Sequence, residues 1–307
     1  MKDDYSIIYK KSDLDDLDFL RNCQEMNTFR VNNEDRIIKI ITEFIRNEVR
    51  HRNSNGVVVG ISGGLDSAVV AWLAVMALEP SKVFGLILPD STITPKGDTR
   101  DAKNLAENLG IKYQIIEVGN IKKICLNKRV PRSNKLDYKL AKANLLVRLR
   151  MSLLYFYAAA TNSLVLGTGD KSELQLGYFT KFGDGAADLF PIADLYKTQV
   201  RELARRIAIP ESIVNKKSSA RLWRGQTAEG EIGMSYEEID HILQELEKNH
   251  ARDHGNSVMT AEFVQAICDI KKSNKKNVNR LIDLIKRNRH KHELPPICKL
   301  SRKLCPN

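Results

Sequence analysis

The chain has 307 residues, 42% of them hydrophobic, which suffices for one large α/β core or a core with a small appendage and excludes a largely disordered protein. No apolar run approaches the roughly 18–20 residues of a membrane span. The opening MKDDYSIIYKKSDLDD is too acidic and polar for a secretory signal, so a cytoplasmic protein without a membrane partner is expected. The net charge of +11 is unevenly spread: the stretch from Lys271 to Asn307 carries twelve basic and two acidic residues, and the remainder is nearly neutral. No aromatics interleave with those basic residues, which argues against a nucleic-acid partner that stacks bases. The five cysteines, Cys23, Cys125, Cys268, Cys298 and Cys305, are scattered without a CxxC, the pattern of neither a disulfide framework nor a zinc site.

Residues 1–33 lack periodicity and read as an irregular N-terminal extension. From Glu34 to Arg52 apolar residues at Ile37, Ile38, Ile41, Phe44, Ile45 and Val49 follow the helical period. Val57–Val59 is a β-branched run ended by Gly60, and AVVAWLAVMAL from Ala68 is an apolar helix. VFGLIL (83–88) predicts a second strand, and a helix runs from the polar stretch after it towards Leu109. YQIIEV (113–118) predicts a third strand. The charged stretch 120–138 reads as a short helix and an exposed loop, and 139–161 as a long helix. LVLG (164–167) is a fourth strand, and helices are expected from about Asp194, Tyr236, Thr260 and Lys275. Strands alternating with helices imply an α/β fold, a doubly wound parallel sheet, with a helical C-terminal region.

The segment VVVGISGGLDS is a strand, a tight turn and a helix start in succession. Gly60, Gly63 and Gly64 let the backbone approach a ligand, and the helix opening at Asp66 and Ser67 turns unpaired N–H groups and a positive dipole end towards it, so an anion belongs there. The lysine of a G-x-x-x-x-G-K-[ST] loop is missing, which removes the main support for γ-phosphate hydrolysis. GTGDKSE leaves the fourth strand at the same end of the sheet, where ligands of open parallel sheets collect, so the two segments are expected in one cleft. Asp66 and Glu173 are then hard oxygen donors suited to Mg²⁺ on a triphosphate, or else charges stabilising two helix starts.

SGGLDS matches the S-G-G-x-D-S signature of the N-type ATP pyrophosphatases, whose fold is adenine nucleotide alpha hydrolase-like, or Rossmann-like. The run from Asn144 to Gln226, with NLLVRLRM, GTGDKSELQLGYFTKFGDGAADLFPIADLYKTQV and SSARLWRGQT, resembles NAD synthetase, in its ammonia-dependent archaeal-type branch. The resemblance spans residues 34–296, leaving the extension 1–33 and a basic tail, 297–307, outside. It implies amidation of deamido-NAD by ammonia through an acyl-adenylate, with ATP as co-substrate, Mg²⁺ as cofactor and a homodimeric enzyme.

By resemblance, Gly60, Ile61, Ser62, Gly63, Gly64, Leu65, Asp66, Ser67, Thr168, Lys197 and Ser219 contact ATP, Asp66 and Glu173 hold the metal, and Asp66 and Lys197 are catalytic. Arg148, Lys181, Asp188, His290 and Lys291 match the contacts to deamido-NAD. Taken alone, Thr168 reads equally as a turn residue, Lys197 as a solvated helix residue and the His290–Lys291 pair as surface charge. The loops 178–188 and 218–231 read as a segment that packs on a planar ring and a lid over ATP. Relatives of this branch tend to carry proline at the position of Ser218, a small residue at Arg221 and acidic residues near Ala228 and Gly230, so the lid of this chain departs from the pattern. Two other functions fit SGGLDS: a tRNA-modifying pyrophosphatase, and a nucleotide-binding relative without activity.

Overall fold

The computed structural model describes residues 33–126, 135–252 and 274–298. Residues 127–134, within the expected exposed loop, the expected helix from Thr260, most of the expected N-terminal extension and the tail beyond Cys298 lie outside the described residues. The chain forms two compact units, Met1–Lys39 and Ile40–Asn307, and the sheet belongs to the second.

Helix α1 (Glu34–His51) straddles the two units, and in the second its Ile41, Ile45 and Val49 are buried. Strands β1 (Gly56–Gly60), β2 (Val83–Ile87), β3 (Lys112–Ile115) and β4 (Ser163–Leu166) form one parallel sheet in the order β3-β2-β1-β4. Register is set by Val57 opposite both Val83 and Leu164. Between them run α2 (Leu65–Leu78), α3 (Lys96–Asn108), α4 (Val118–Leu126) and α5 (Lys135–Thr161).

Helix α2 is apolar nearly all round, which demands burial on more than one side; it packs on β1, β2 and a later helix, with Val69, Val70, Leu73 and Ala74 inaccessible. Helix α5 covers sheet residues Val58, Leu86 and Val165 through Leu146, Met151, Leu154 and Ala158. The central strands are therefore buried runs, as a parallel sheet coated with helices requires. Strand β3 is shorter than its apolar run suggested. It lies at the edge, largely exposed, and Val118 opens α4, its N–H donating to Pro89 O at 2.9 Å.

Downstream lie α6 (Lys171–Leu176), α7 (Lys197–Arg206), α8 (Glu211–Val214), α9 (Ala228–Ile232), α10 (Tyr236–Arg252) and α11 (Lys275–Asn288). A second core, with Tyr236, Ile239, Ile242, Val278, Leu281 and Ile282 at its centre, ties α10 to α11 and reaches Leu176 of α6. The strand order places β2 and β3 on one side of β1 and β4 on the other. The chain thus reverses direction across the sheet between β1 and β4, and the loops leaving those two strands open a crevice there.

Candidate active site

A cavity of about 250 Å³ fills that crevice. Gly60, Ile61, Ser62, Gly64, Leu65, Asp66 and Ser67 line one wall, Thr168 and Glu173 a second, and Lys216–Arg221 close it from above. Of the residues expected to contact ATP or the metal, these nine and Ser219 reach the cavity, Gly63 forms the turn behind it, and Lys197 approaches from beneath.

The turn after β1 holds itself in shape. Ser67 Oγ donates to Gly64 O at 3.1 Å, Ser62 N donates to Ser67 Oγ at 3.2 Å, and the two serine hydroxyls lie 3.0 Å apart. Gly63 has φ +74°, and a Cβ there would lie 2.1 Å from Asp98 O on the first turn of α3, so both the conformation and the close approach demand glycine. Lys216 clamps the same place: its ammonium donates to Gly63 O at 2.6 Å and Asp98 Oδ1 at 3.0 Å, and pairs with Asp101 Oδ2 at 2.6 Å. Its neighbour Arg221 reaches Asp98 Oδ2 at 2.7 Å from a left-handed backbone, φ +52°. The departure at Arg221 thus puts a charged side chain where glycine is easiest and ties the lid to α3.

Beneath the turn, a fully buried ammonium meets three carboxylates. Lys197 Nζ lies 2.8 Å from Asp66 Oδ2, 3.0 Å from Glu173 Oε1 and 2.5 Å from Asp170 Oδ2. Burial alone would lower the Lys197 pKa, but the carboxylates, Asp170 foremost, outweigh it and hold the ammonium well above the ordinary lysine value. Burial raises the Asp170 and Glu173 carboxyls, and the ammonium offsets this only in part. Asp66, Asp170 and Glu173 present oxygens within 4.8 Å of one another, and Asp66 Oδ1 is buried without a hydrogen-bond partner among the described residues. An orphaned carboxylate oxygen beside a second acid on the cavity wall fits a hard divalent cation.

Asp170 was not singled out in the sequence; its signal is the spacing to Glu173, whose N–H its Oδ1 accepts at 2.8 Å as the cap of α6. Also missed was Arg150, two residues beyond Arg148. It lines the cavity and donates to Leu88 O at 3.0 Å and to the lid carbonyl of Ala220 at 3.4 Å.

The five residues expected to hold deamido-NAD do not line this cavity. Arg148 donates to Lys181 O at 3.2 Å, and Lys181 donates to His290 O at 2.5 Å and Glu293 O at 3.0 Å. Lys291 donates to Gly177 O at 2.6 Å and Phe179 O at 2.8 Å, while Phe179 meets the His292 ring edge-on. Asp188 accepts from Val165 N at 2.7 Å at the margin of β4. Arg148, Lys181, His290 and Lys291 therefore gather where the segment after α11 straps the 177–188 loop. The aromatic Phe182 is exposed there, at φ +61°.

The family described as NAD synthase matches residues 37–295. The chain belongs to that family. It is 44% identical over 268 residues to the NH3-dependent NAD+ synthetase of Archaeoglobus fulgidus, covering 87% of this chain and 98% of that protein. Among solved structures, NMN synthetase from Francisella tularensis is similar at TM-score 0.73 and 33% identity, covering 89% of this chain and all of that one. The NH3-dependent NAD synthetase of Campylobacter jejuni is similar at TM-score 0.69 and 32% identity, over 87% of this chain and 99% of that one. This NAD synthase-family chain is thus matched in both sequence and fold by enzymes of nearly its own length.

Proposed function

We propose that the protein is an ammonia-dependent NAD synthetase, a ligase that converts deamido-NAD to NAD with cleavage of ATP to AMP and pyrophosphate. A carboxylate is a poor acceptor for an amine because oxide would have to leave; transfer to the α-phosphorus of ATP replaces oxide with AMP. The nicotinate carboxylate oxygen forms the new bond to that phosphorus, the α–β anhydride breaks and pyrophosphate departs. Ammonia then attacks the acyl carbon, AMP leaves, and the nitrogen sheds a proton to become the amide. No protein nucleophile is needed.

In this reading the N–H groups and hydroxyls of Gly60 to Ser67 cradle the departing pyrophosphate, with Thr168 and Ser219 as further ATP contacts. Asp66 and Glu173 would hold Mg²⁺, which when bound supplies positive charge against the phosphate oxygens. Lys197 steadies the two carboxylates and adds its own positive charge at the phosphate end. The lid, residues 218–231, excludes water, which would otherwise compete with ammonia for the acyl-adenylate. Arg148, Lys181, Asp188, His290 and Lys291 are assigned to deamido-NAD. An ammonium has three N–H donors, and Lys181 spends two on carbonyls, so one remains for a phosphate or carboxylate oxygen. We place the enzyme in the cytoplasm and expect a homodimer, for which the exposed Phe156 of α5 is a candidate contact.

The observation that carries the reading is the meeting of Asp66 and Glu173, from the first turns of the helices after β1 and β4, on one buried ammonium at the point where the sheet reverses. Incubation with ATP, Mg²⁺, ammonium and deamido-NAD is expected to yield NAD, AMP and pyrophosphate in equal amounts; release of ADP would refute it. The likeness to NMN synthetase makes the deamidated mononucleotide the acceptor to run in parallel, and a higher kcat/KM for it would reassign the substrate.

A further inference from the structure

We propose that Asp170 is a positioning residue for Lys197: its buried carboxylate anchors the ammonium from behind and keeps it aimed at the front of the site when Asp66 and Glu173 are engaged from the cavity side. This rests on the reading of the site as an ATP-cleaving centre.

The three carboxylates around Lys197 are not equivalent. Asp66 and Glu173 retain 21% and 22% side-chain exposure and line the cavity, whereas Asp170 and Lys197 have none. An incoming cation or phosphate therefore meets Asp66 and Glu173 first, and Asp170 stands behind the lysine. Asp170 is fixed there, because Oδ1 accepts the Glu173 N–H at 2.8 Å and leaves only Oδ2 for the ammonium at 2.5 Å. That second contact is ionic, its direction off that of a good hydrogen bond. Lys197 is fixed too: its N–H donates to Ser172 Oγ at 3.0 Å, Ser172 donates to Asp240 Oδ1 at 2.5 Å, and Asp240 Oδ2 accepts the Thr198 N–H at 2.8 Å.

Three carboxylates and one ammonium leave two negative charges when all are ionised, the complement of one divalent cation. Once Asp66 and Glu173 turn to such a cation, Asp170 is the remaining counter-charge for a lysine whose side chain is closed off from solvent. A buried ammonium left without a counter-charge is strongly disfavoured and would leave its place. Asp170 thus keeps the lysine in its place behind the metal ligands after they have turned to a cation.

The test uses Asp170→Asn, which keeps the cap acceptor of α6 and removes only the charge, with Asp170→Ser as a second capping variant in case Asn fails to fold. Expected are a fall in kcat of roughly 10- to 100-fold with KM for deamido-NAD little changed, and Mn²⁺ affinity in the presence of α,β-methylene ATP, read by electron paramagnetic resonance, within about 3-fold of the parent. In a Lys197→Met background the same change should cost less than about 2-fold in kcat, because a residue acting through Lys197 has nothing left to act on. A loss of Mn²⁺ affinity of about tenfold or more would make Asp170 a metal ligand and overturn the proposal. So would an undiminished kcat effect in the Lys197→Met background, or a kcat unaffected by Asp170→Asn. Should the parent protein make no NAD, the functional reading fails by itself. The pairing is then judged by an unfolding double-mutant cycle of Asp170→Asn and Lys197→Met, where additive effects would overturn it.

Discussion

Asp66 shows how one side chain serves two readings at once. It stands in the first turn of α2, where any carboxylate favours the helix dipole, but the cap itself is Gly64 and makes no side-chain hydrogen bond. The helix start thus leaves Asp66 available, and one oxygen goes to Lys197 while the other has no partner among the described residues. Asp66→Ala is expected to depress adenylation, measured as pyrophosphate release, on the order of 10²- to 10³-fold; near-normal release would remove Asp66 from the site. His292 supplies a pH dependence. Burial, then the adjacent Lys291 ammonium, lower its imidazole below the ordinary value of 6.5, against a hydrogen bond at Leu174. The fold favours neutral His292, so the unfolded chain takes up the proton first; this contribution is fully present above pH 6.5 and is lost as pH falls through the lower folded value. Urea midpoints measured between about pH 7 and pH 5 should accordingly fall less steeply in His292→Phe than in the parent, and parallel slopes would contradict this.

At the scale of elements, the 216–224 loop and the turn after β1 are one assembly. Lys216 joins Gly63 to the start of α3, Arg221 joins the lid to the same Asp98, and Arg224 donates to Thr92 O at 3.2 Å. Gly63→Ala should be severe, since the new Cβ would strike backbone and not a yielding side chain. A loss of about 1–3 kcal/mol in stability is expected, with ATP binding weakened in parallel, and calorimetric titration with ATP would reveal an unaffected turn. At Arg221 the backbone cost and the ion pair can be separated. Both Arg221→Gly and Arg221→Ala lose the partly exposed pair with Asp98, but only alanine keeps the left-handed strain. Denaturant unfolding should place the alanine variant about 1 kcal/mol below the glycine variant; equal stabilities would mean that the strain is relieved by local adjustment. The bulk at 221 was visible in the sequence as a departure in the lid. That its guanidinium finds a carboxylate on α3 was not, because Asp98 is 123 residues away in the chain.

At the scale of the molecule, the homodimer can be tested at the exposed Phe156 of α5. Light scattering on the eluting protein should give twice the chain mass, and Phe156→Glu should shift it towards the monomer; a parent protein that elutes as a monomer would remove the dimer from the proposal. The sequence by itself determined the parallel α/β architecture, the phosphate turn and the residues resembling an NAD synthetase, because β-branched runs, glycine spacing and helix periodicity are local signals. It misjudged the end of β3, where an edge strand meets the start of α4 and a tertiary hydrogen bond to Pro89 marks the boundary. Only the tertiary structure decided that Asp170 stands behind Lys197, that Lys216 supplies a lysine to a turn lacking one, and that the cations matched to deamido-NAD sit together outside the cavity lined by the SGGLDS turn. The physical reason is that a local signal is carried by neighbours in the chain, whereas a buried charge is defined by whichever distant carboxylates or carbonyls the fold brings within a few ångströms of it.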